Sequence, residues 1–181
     1  MKITTIGKGN VGGGLARLWR EAGHEVDELG REGGDASGAE AVLLAVPGGA
    51  IGDALGSVSG LDAPLIDATN FVQGERPQGF DSLAEYAKSL SGAPVAKAFN
   101  TVFARLYDQI PQARARPGCL YCGDDEAREV AERLISDAGY EPLSMGGLEH
   151  ARALEDFVRV NFALTETVGP TVYRFAAPDQ L

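Results

Sequence analysis

Apolar and polar positions along the chain follow two periods in turn, and the changeover repeats from end to end. The short run Ile3-Thr4-Thr5-Ile6 stops at Gly7, and from Asn10 the residues Val11, Leu15, Leu18, Trp19 and Ala22 share one helical stripe that Gly23 closes. Glu25 to Leu29 predicts a second strand, followed by the turn Gly30-Arg31-Glu32-Gly33-Gly34. Ala41 to Val46 is continuously apolar, as a strand buried on both faces must be, and Pro47-Gly48-Gly49 breaks it before a short helix through Ile51 and Leu55. Pro64 to Asn70 predicts a fourth strand, Ser82 to Leu90 a helix, and Pro94 to Asn100 a fifth strand. A sixth strand spans Gly118 to Gly123. The helix that follows is capped by Asp124, buries Ala127, Val130, Ala131, Leu134 and Ala138, and closes at Gly139. Glu141 to Met145 predicts a seventh strand, and Leu148 to about Phe175 a long last helical segment.

Strands alternating with helices predict an α/β fold with a doubly wound, mainly parallel sheet, all strand C-terminal ends lying on one edge. Only about ten residues separate the second and third strands, barely enough for a crossover. A loop built on Gly33-Gly34-Asp35 is expected there in place of a helix, leaving one sheet face for the C-terminal helix or another subunit to cover. The expected organisation is residues 1–146 as the main domain, with 147–181 as a C-terminal helical extension of the same unit.

Composition narrows the classes of function. The chain has 181 residues, 44% hydrophobic and 23% charged, which suits one folded domain. A net charge of −10 argues against nucleic acid or an anionic membrane as partner. No apolar run reaches the roughly 20 residues of a membrane span, and Met1-Lys2 leads straight into a strand without a signal-peptide pattern. A cytoplasmic location is therefore expected. Cys119 and Cys122 form a C-x-x-C within a strand, where residues three apart face opposite ways, so buried thiols are expected and no metal site.

The chemistry lies where the first strand meets the first helix. Gly7-Lys8-Gly9-Asn10-Val11-Gly12 is a G-x-G-x-x-G with a strand before it and a helix after it, the context of a Rossmann-type dinucleotide site. Gly7 permits the tight turn, Gly9 lets a pyrophosphate approach the main chain, and Gly12 allows close helix–strand contact. Free N–H groups at the helix start then face the anion.

Several further stretches carry a family resemblance: Gly23-His24-Glu25-Val26, Ala45-Val46-Pro47, Asp67-Ala68-Thr69-Asn70, Lys97-Ala98-Phe99-Asn100-Thr101, and Met145 to Arg152 leading to Leu154-Glu155. With the glycine loop, they resemble the NADPH-dependent coenzyme F-420 reductases, whose dinucleotide-binding domain is also that of the STEAP metalloreductases. The resemblance implies NADP(H) bound across the strand ends, with its pyrophosphate on Gly9 to Val11. It implies a 2′-phosphate beside Gly30 and Arg31, and a ribose–nicotinamide path along Ala45, Val46 and Pro47. Asn70, Ala98 and Asn100 would line the nicotinamide end. Where the family typically has Gly-Ser-Arg-Arg, this chain has Leu29-Gly30-Arg31-Glu32. Arg31 keeps a cation for a phosphate monoester, the serine hydroxyl is lost, and Glu32 brings a negative charge; NADP is preferred over NAD.

Hydride transfer needs the two carbons about 3–3.5 Å apart, so the protein's task is orientation. A carbonyl acceptor would also need a proton donor, and the chain offers His24, His150 and Lys97. Lys97, the best candidate for that acid, and Asn100 are orienting candidates, Lys97 having as its alternative role a charge that steers the cofactor or pairs with Asp67. The acceptor implied by the resemblance is the deazaflavin F-420. Other readings are a reductase of a flavin, quinone or chelated metal, or a non-catalytic NADP(H) sensor. Apolar residues on both sides of the last helix predict a homodimer. Arg105, Arg114 and Arg116 are candidates for an anionic acceptor tail, and the loop Phe71 to Phe80, with Gly74, Pro77 and Gly79, is a candidate lid over the bound ring; a plain surface connection is its alternative.

Overall fold

The computed structural model describes residues 1–71 and 76–178. Among the described residues nine strands run in chain order: β1 (Lys2–Ile6), β2 (Glu25–Leu29), β3 (Gly34–Asp35), β4 (Ala41–Leu44), β5 (Val58–Ser59), β6 (Leu65–Asp67), β7 (Val95–Lys97), β8 (Gly118–Gly123) and β9 (Glu141–Ser144). The helices are α1 (Asn10–Glu21), α2 (Ile51–Gly56), α3 (Leu83–Ser91), α4 (Asp125–Asp137) and α5 (Ala151–Val168). Seven strands form one sheet in the order β2-β1-β4-β6-β7-β8-β9. The first five of these are parallel, with Ile6 in register with both Leu29 and Leu44. This is the Rossmann-type, doubly wound, mainly parallel sheet with a C-terminal helical extension.

Two cores lie on the two faces. Ile3, Leu43, Ile66 and Ala96 pack with Leu15 and Trp19 of α1 and Leu134 of α4. The indole N–H of Trp19 donates to Leu134 O at 2.9 Å, tying the two helices together. Val42, Leu44, Leu65 and Val95 pack under Ile51, Leu55, Leu83 and Ala87 of α2 and α3, with Leu148, Ala151 and Leu154 at the start of α5. Over β1 and β2, where the second helix is missing, the loop residues Ala36 and Ala39 pack with Ile6 and Leu29, while α5 packs at the other end of that face against β8. Gly34–Asp35 pairs with Val58–Ser59 as a separate two-stranded ribbon, which pins the short crossover.

Three expectations change. β8 runs antiparallel to β7 and carries β9 with it, so these two strands end on the edge opposite to the others. The reason is the connection from β7: its nine-residue 3₁₀ segment, Ala104–Gln112, contains Pro111 and builds no crossover helix. The last helix stops at Val168, because Gly169 takes φ +80° and Pro170 follows. Asp124 precedes α4 without a side-chain cap; its carboxylate instead accepts Lys88 Nζ at 2.6 Å and Val95 N at 2.9 Å.

Cys119 and Cys122 are free, buried, and divided between the two cores, as strand alternation requires. Burial pushes each thiol up to about 12, so neither is a thiolate near neutrality. Among the described residues no group of three or more His, Cys, Asp or Glu side chains is placed to hold a metal ion, and no helix is long and apolar enough to cross a membrane.

Candidate nucleotide site

The turn after β1 is built from contacts that admit no side chain. Gly7 has φ +100°, and a Cβ there would sit 2.4 Å from Ala45 O. A Cβ on Gly12 would lie 1.8 Å from Gly7 O, so the first turn of α1 rests directly on the loop backbone. Gly9 is different: a Cβ there meets nothing within 4 Å, and its φ of −79° suits any residue. Open space therefore stands over the main chain at Gly9. The first turn of α1, Asn10 to Gly12, has no side-chain cap and no acidic residue, which leaves its N–H groups and positive dipole end available to an anion.

A cavity of about 840 Å³ opens from this loop. Its walls are Ile6, Gly7, Lys8 and Gly9 from the first turn; Gly30, Arg31 and Glu32 after β2; and Ala45, Val46 and Pro47 after β4. Eight of the residues expected to bind cofactor thus line one space: Gly7, Lys8, Gly9, Gly30, Arg31, Ala45, Val46 and Pro47. Asn10, Val11 and Gly12 adjoin it as the helix start but are not among its lining residues. The fourth wall, Ala50, Asp53, Ala54 and Ser57, was not anticipated from sequence. Its signal was the Gly48-Gly49 break, which throws α2 back along the cavity. Both the volume and the open backbone at Gly9 fit a dinucleotide.

At the rim, Lys8 Nζ lies 3.4 Å from Glu32 Oε1, the two side chains 56% and 71% exposed. Its own backbone N–H, then Lys8, hold the Glu32 carboxyl below the usual carboxylate range. Arg31 is exposed and has no ion-pair partner among the described residues.

Asn70 and Asn100 are not among the cavity-lining residues; Asn70 packs on the residue after Pro47, where a Cβ on Gly48 would lie 2.8 Å from Asn70 O. The two amides form a reciprocal clamp: Asn70 Nδ2 donates to Asn100 O at 2.7 Å, and Asn100 Nδ2 to Asn70 Oδ1 at 3.0 Å. Asn100 Nδ2 also donates to Leu154 O at 2.9 Å, fixing the clamp to α5. Beside it Phe99 takes φ +62°, an uncommon conformation for a bulky residue, and Ala98 is fully buried.

Lys97 is not brought to this site. It has no exposed surface and donates to Asp67 Oδ2 at 2.8 Å, with Glu155 Oε1 at 3.1 Å. Glu155 also accepts Leu83 N at 2.7 Å and pairs with Arg76. Of its expected roles, the lysine performs pairing with Asp67. His24 is buried against Asp137 at 2.9 Å and His150 is half exposed beside Glu149, so neither lines the cavity. Arg105, Arg114 and Arg116 are exposed, Arg105 lying over the Phe103 ring. Of the Phe71 to Phe80 loop, Gly74 lies outside the described residues; Arg76, within them, stacks over Phe71.

These features define a Rossmann-type fold with an open, uncapped glycine turn, and known proteins agree on that fold. No family model matches the chain. A stretch of 93 residues, half of the chain, is 39% identical to Metalloreductase STEAP3 of Rattus norvegicus, of which it spans 19%. Among solved structures, the chain is similar to "a putative f420 dependent nadp-reductase" from Arthrobacter sp. fb24, with a TM-score of 0.78 and 24% identity, covering 98% of this chain and 99% of that one. It is also similar to a reductive aminase from Aspergillus terreus solved with NADPH, at a TM-score of 0.63 and 14% identity, covering 91% of this chain and 61% of that one. The motif resemblance to F-420 reductases and STEAP metalloreductases is thus met by both a sequence and a structural relative. At these identities the solved structures establish the fold.

Proposed function

We propose that this chain is an NADP(H)-dependent oxidoreductase that moves hydride between nicotinamide and a small ring acceptor, in the manner of coenzyme F-420 reductases. The observation that carries the reading is the open main chain at Gly9 beneath an uncapped helix start, within a cavity of dinucleotide size. Backbone N–H groups from Gly9 to Val11 hold the pyrophosphate, and Arg31 stands for the 2′-phosphate. Ala45 to Pro47 give an apolar path toward the clamp of Asn70 and Asn100. The bound nucleotide supplies the hydride; the chain binds it, turns one face outward and limits water.

Among the described residues the cavity lining contains no histidine or tyrosine, and its lysine, Lys8, sits at the rim. That favours a ring acceptor, which needs no positioned acid, over a carbonyl. F-420 is the acceptor of choice; a flavin, a quinone or a chelated metal is the alternative. The same lack of a histidine or tyrosine in the lining supports a second reading, a sensor that binds NADP(H) without turnover. Residues 1–146 form the nucleotide-binding part in this proposal, and 147–181 the part that pairs two copies, in the cytoplasm, with neither nucleic acid nor membrane as partner.

NADPH oxidation followed at micromolar enzyme with F-420, flavin and quinone separates the readings: turnover with one acceptor excludes the sensor, and tight binding without turnover across the panel supports it. Arg31→Ala should weaken NADPH binding by about 1.5–3 kcal/mol, the worth of a charged hydrogen bond, and leave NADH nearly unchanged. Equal losses for both nucleotides would remove Arg31 from the 2′-phosphate.

A further inference from the structure

We propose that Glu32 is a tethered anion that occupies Lys8 and thereby sets how strongly this site prefers a nucleotide carrying a 2′-phosphate. The inference rests on the nucleotide-site reading above and concerns a residue to which that reading gives no role. Two cations stand at the cavity rim, Lys8 and Arg31. Arg31 has no carboxylate partner among the described residues, whereas Lys8 is held across the opening by Glu32 at 3.4 Å. The two side-chain ends cross over Gly30. A Cβ there would lie 2.5 and 2.7 Å from the two Glu32 carboxylate oxygens and 2.8 Å from Lys8 Cε, so the pair closes over a position that has no side chain.

NADPH and NADH differ by one phosphate monoester, a dianion near neutrality. A ligand bearing it draws on every rim cation, so it must compete with Glu32 for Lys8, and the displaced carboxylate, already 71% exposed, turns into solvent. A ligand without it leaves the pair intact. Glu32 therefore acts selectively against the phosphorylated nucleotide. Both side chains are more than half exposed, so the effect is moderate and screened by salt.

The test is calorimetric titration of NADPH and of NADH into the wild type, Glu32→Gln, Lys8→Met and the double variant, at low salt. Glu32→Gln is expected to tighten NADPH about fivefold and to change NADH less than twofold. In the Lys8→Met background the same substitution should change NADPH less than twofold, because the competition is for that lysine. The proposal is overturned if Glu32→Gln leaves NADPH unchanged. It is equally overturned if the substitution weakens NADH, which would make Glu32 a ribose ligand, or if its gain survives without Lys8. Failure of the site reading looks different: the wild type then binds neither nucleotide, and both proposals fall together.

Discussion

Lys97 illustrates how a residue's identity and its environment part company. It lies in the K-A-F-N stretch at the end of a parallel strand, where proton donors are commonly found, yet strand alternation turns it under α3 and α5. There it meets two buried carboxylates, Asp67 and Glu155, and Asp67 in turn accepts Thr69 N at 2.8 Å just before Asn70. Removing the lysine would leave both carboxylates buried and facing one another. Lys97→Met should therefore lower stability by about 3–5 kcal/mol in urea unfolding, the cost of breaking a buried ion pair from one side. A loss below about 1 kcal/mol would mean that the cluster rearranges and that its pairing does not organise the strand ends. Of the two partners, Asp67 was legible in sequence and Glu155 was not, because it stands 58 positions away (155 − 97 = 58) on a helix whose docking angle no local pattern encodes. The glycine loop was legible to the residue, since its role is played by backbone and by the absence of Cβ atoms. Gly14 was not: a Cβ there would lie 2.5 Å from the Tyr107 ring, a contact made from a distant 3₁₀ segment.

At the scale of elements, helices and parallel strands were readable where periodicity and punctuation agreed, as in α1, α3 and α4. Ser82 opens α3 with a reciprocal capping box to Glu85. The direction of β8 was not readable, because a strand's apolar pattern is the same whichever way it runs; only the connection before it decides. The second half of α5 gives the clearest element-level expectation. Its buried positions end at Asn161, which donates to Thr101 O at 2.7 Å. Beside and beyond it Val160, Phe162, Leu164 and Val168 are exposed, as are Val172 and Phe175 in the segment that follows. Two turns of helix with an uncovered apolar surface call for a partner. Equilibrium sedimentation at micromolar concentration should give twice the chain mass for the wild type and the chain mass for Phe162→Glu; a monomeric wild type would end the homodimer proposal.

Taken as a whole molecule, the chain concentrates its openings on one edge. The glycine turn, the β2 turn and the Pro47 turn all leave parallel strands on the same side, and the cavity is what lies between them. A field of −10 net charge opposes a dinucleotide from a distance. Local backbone N–H groups, Arg31 and a Lys8 shared with Glu32 must overcome it at contact. The central claim is thus a statement about main-chain access at one position. Gly9→Ala isolates it, because the added methyl touches nothing in the folded chain. The decisive measurement is calorimetric titration of NADPH into the wild type and Gly9→Ala, with both thermal midpoints recorded. The account predicts midpoints within about 2 °C of each other and NADPH affinity reduced about tenfold or more in the variant. An alanine variant that binds NADPH as tightly as the wild type, or a wild type that binds no nucleotide at all, would contradict it.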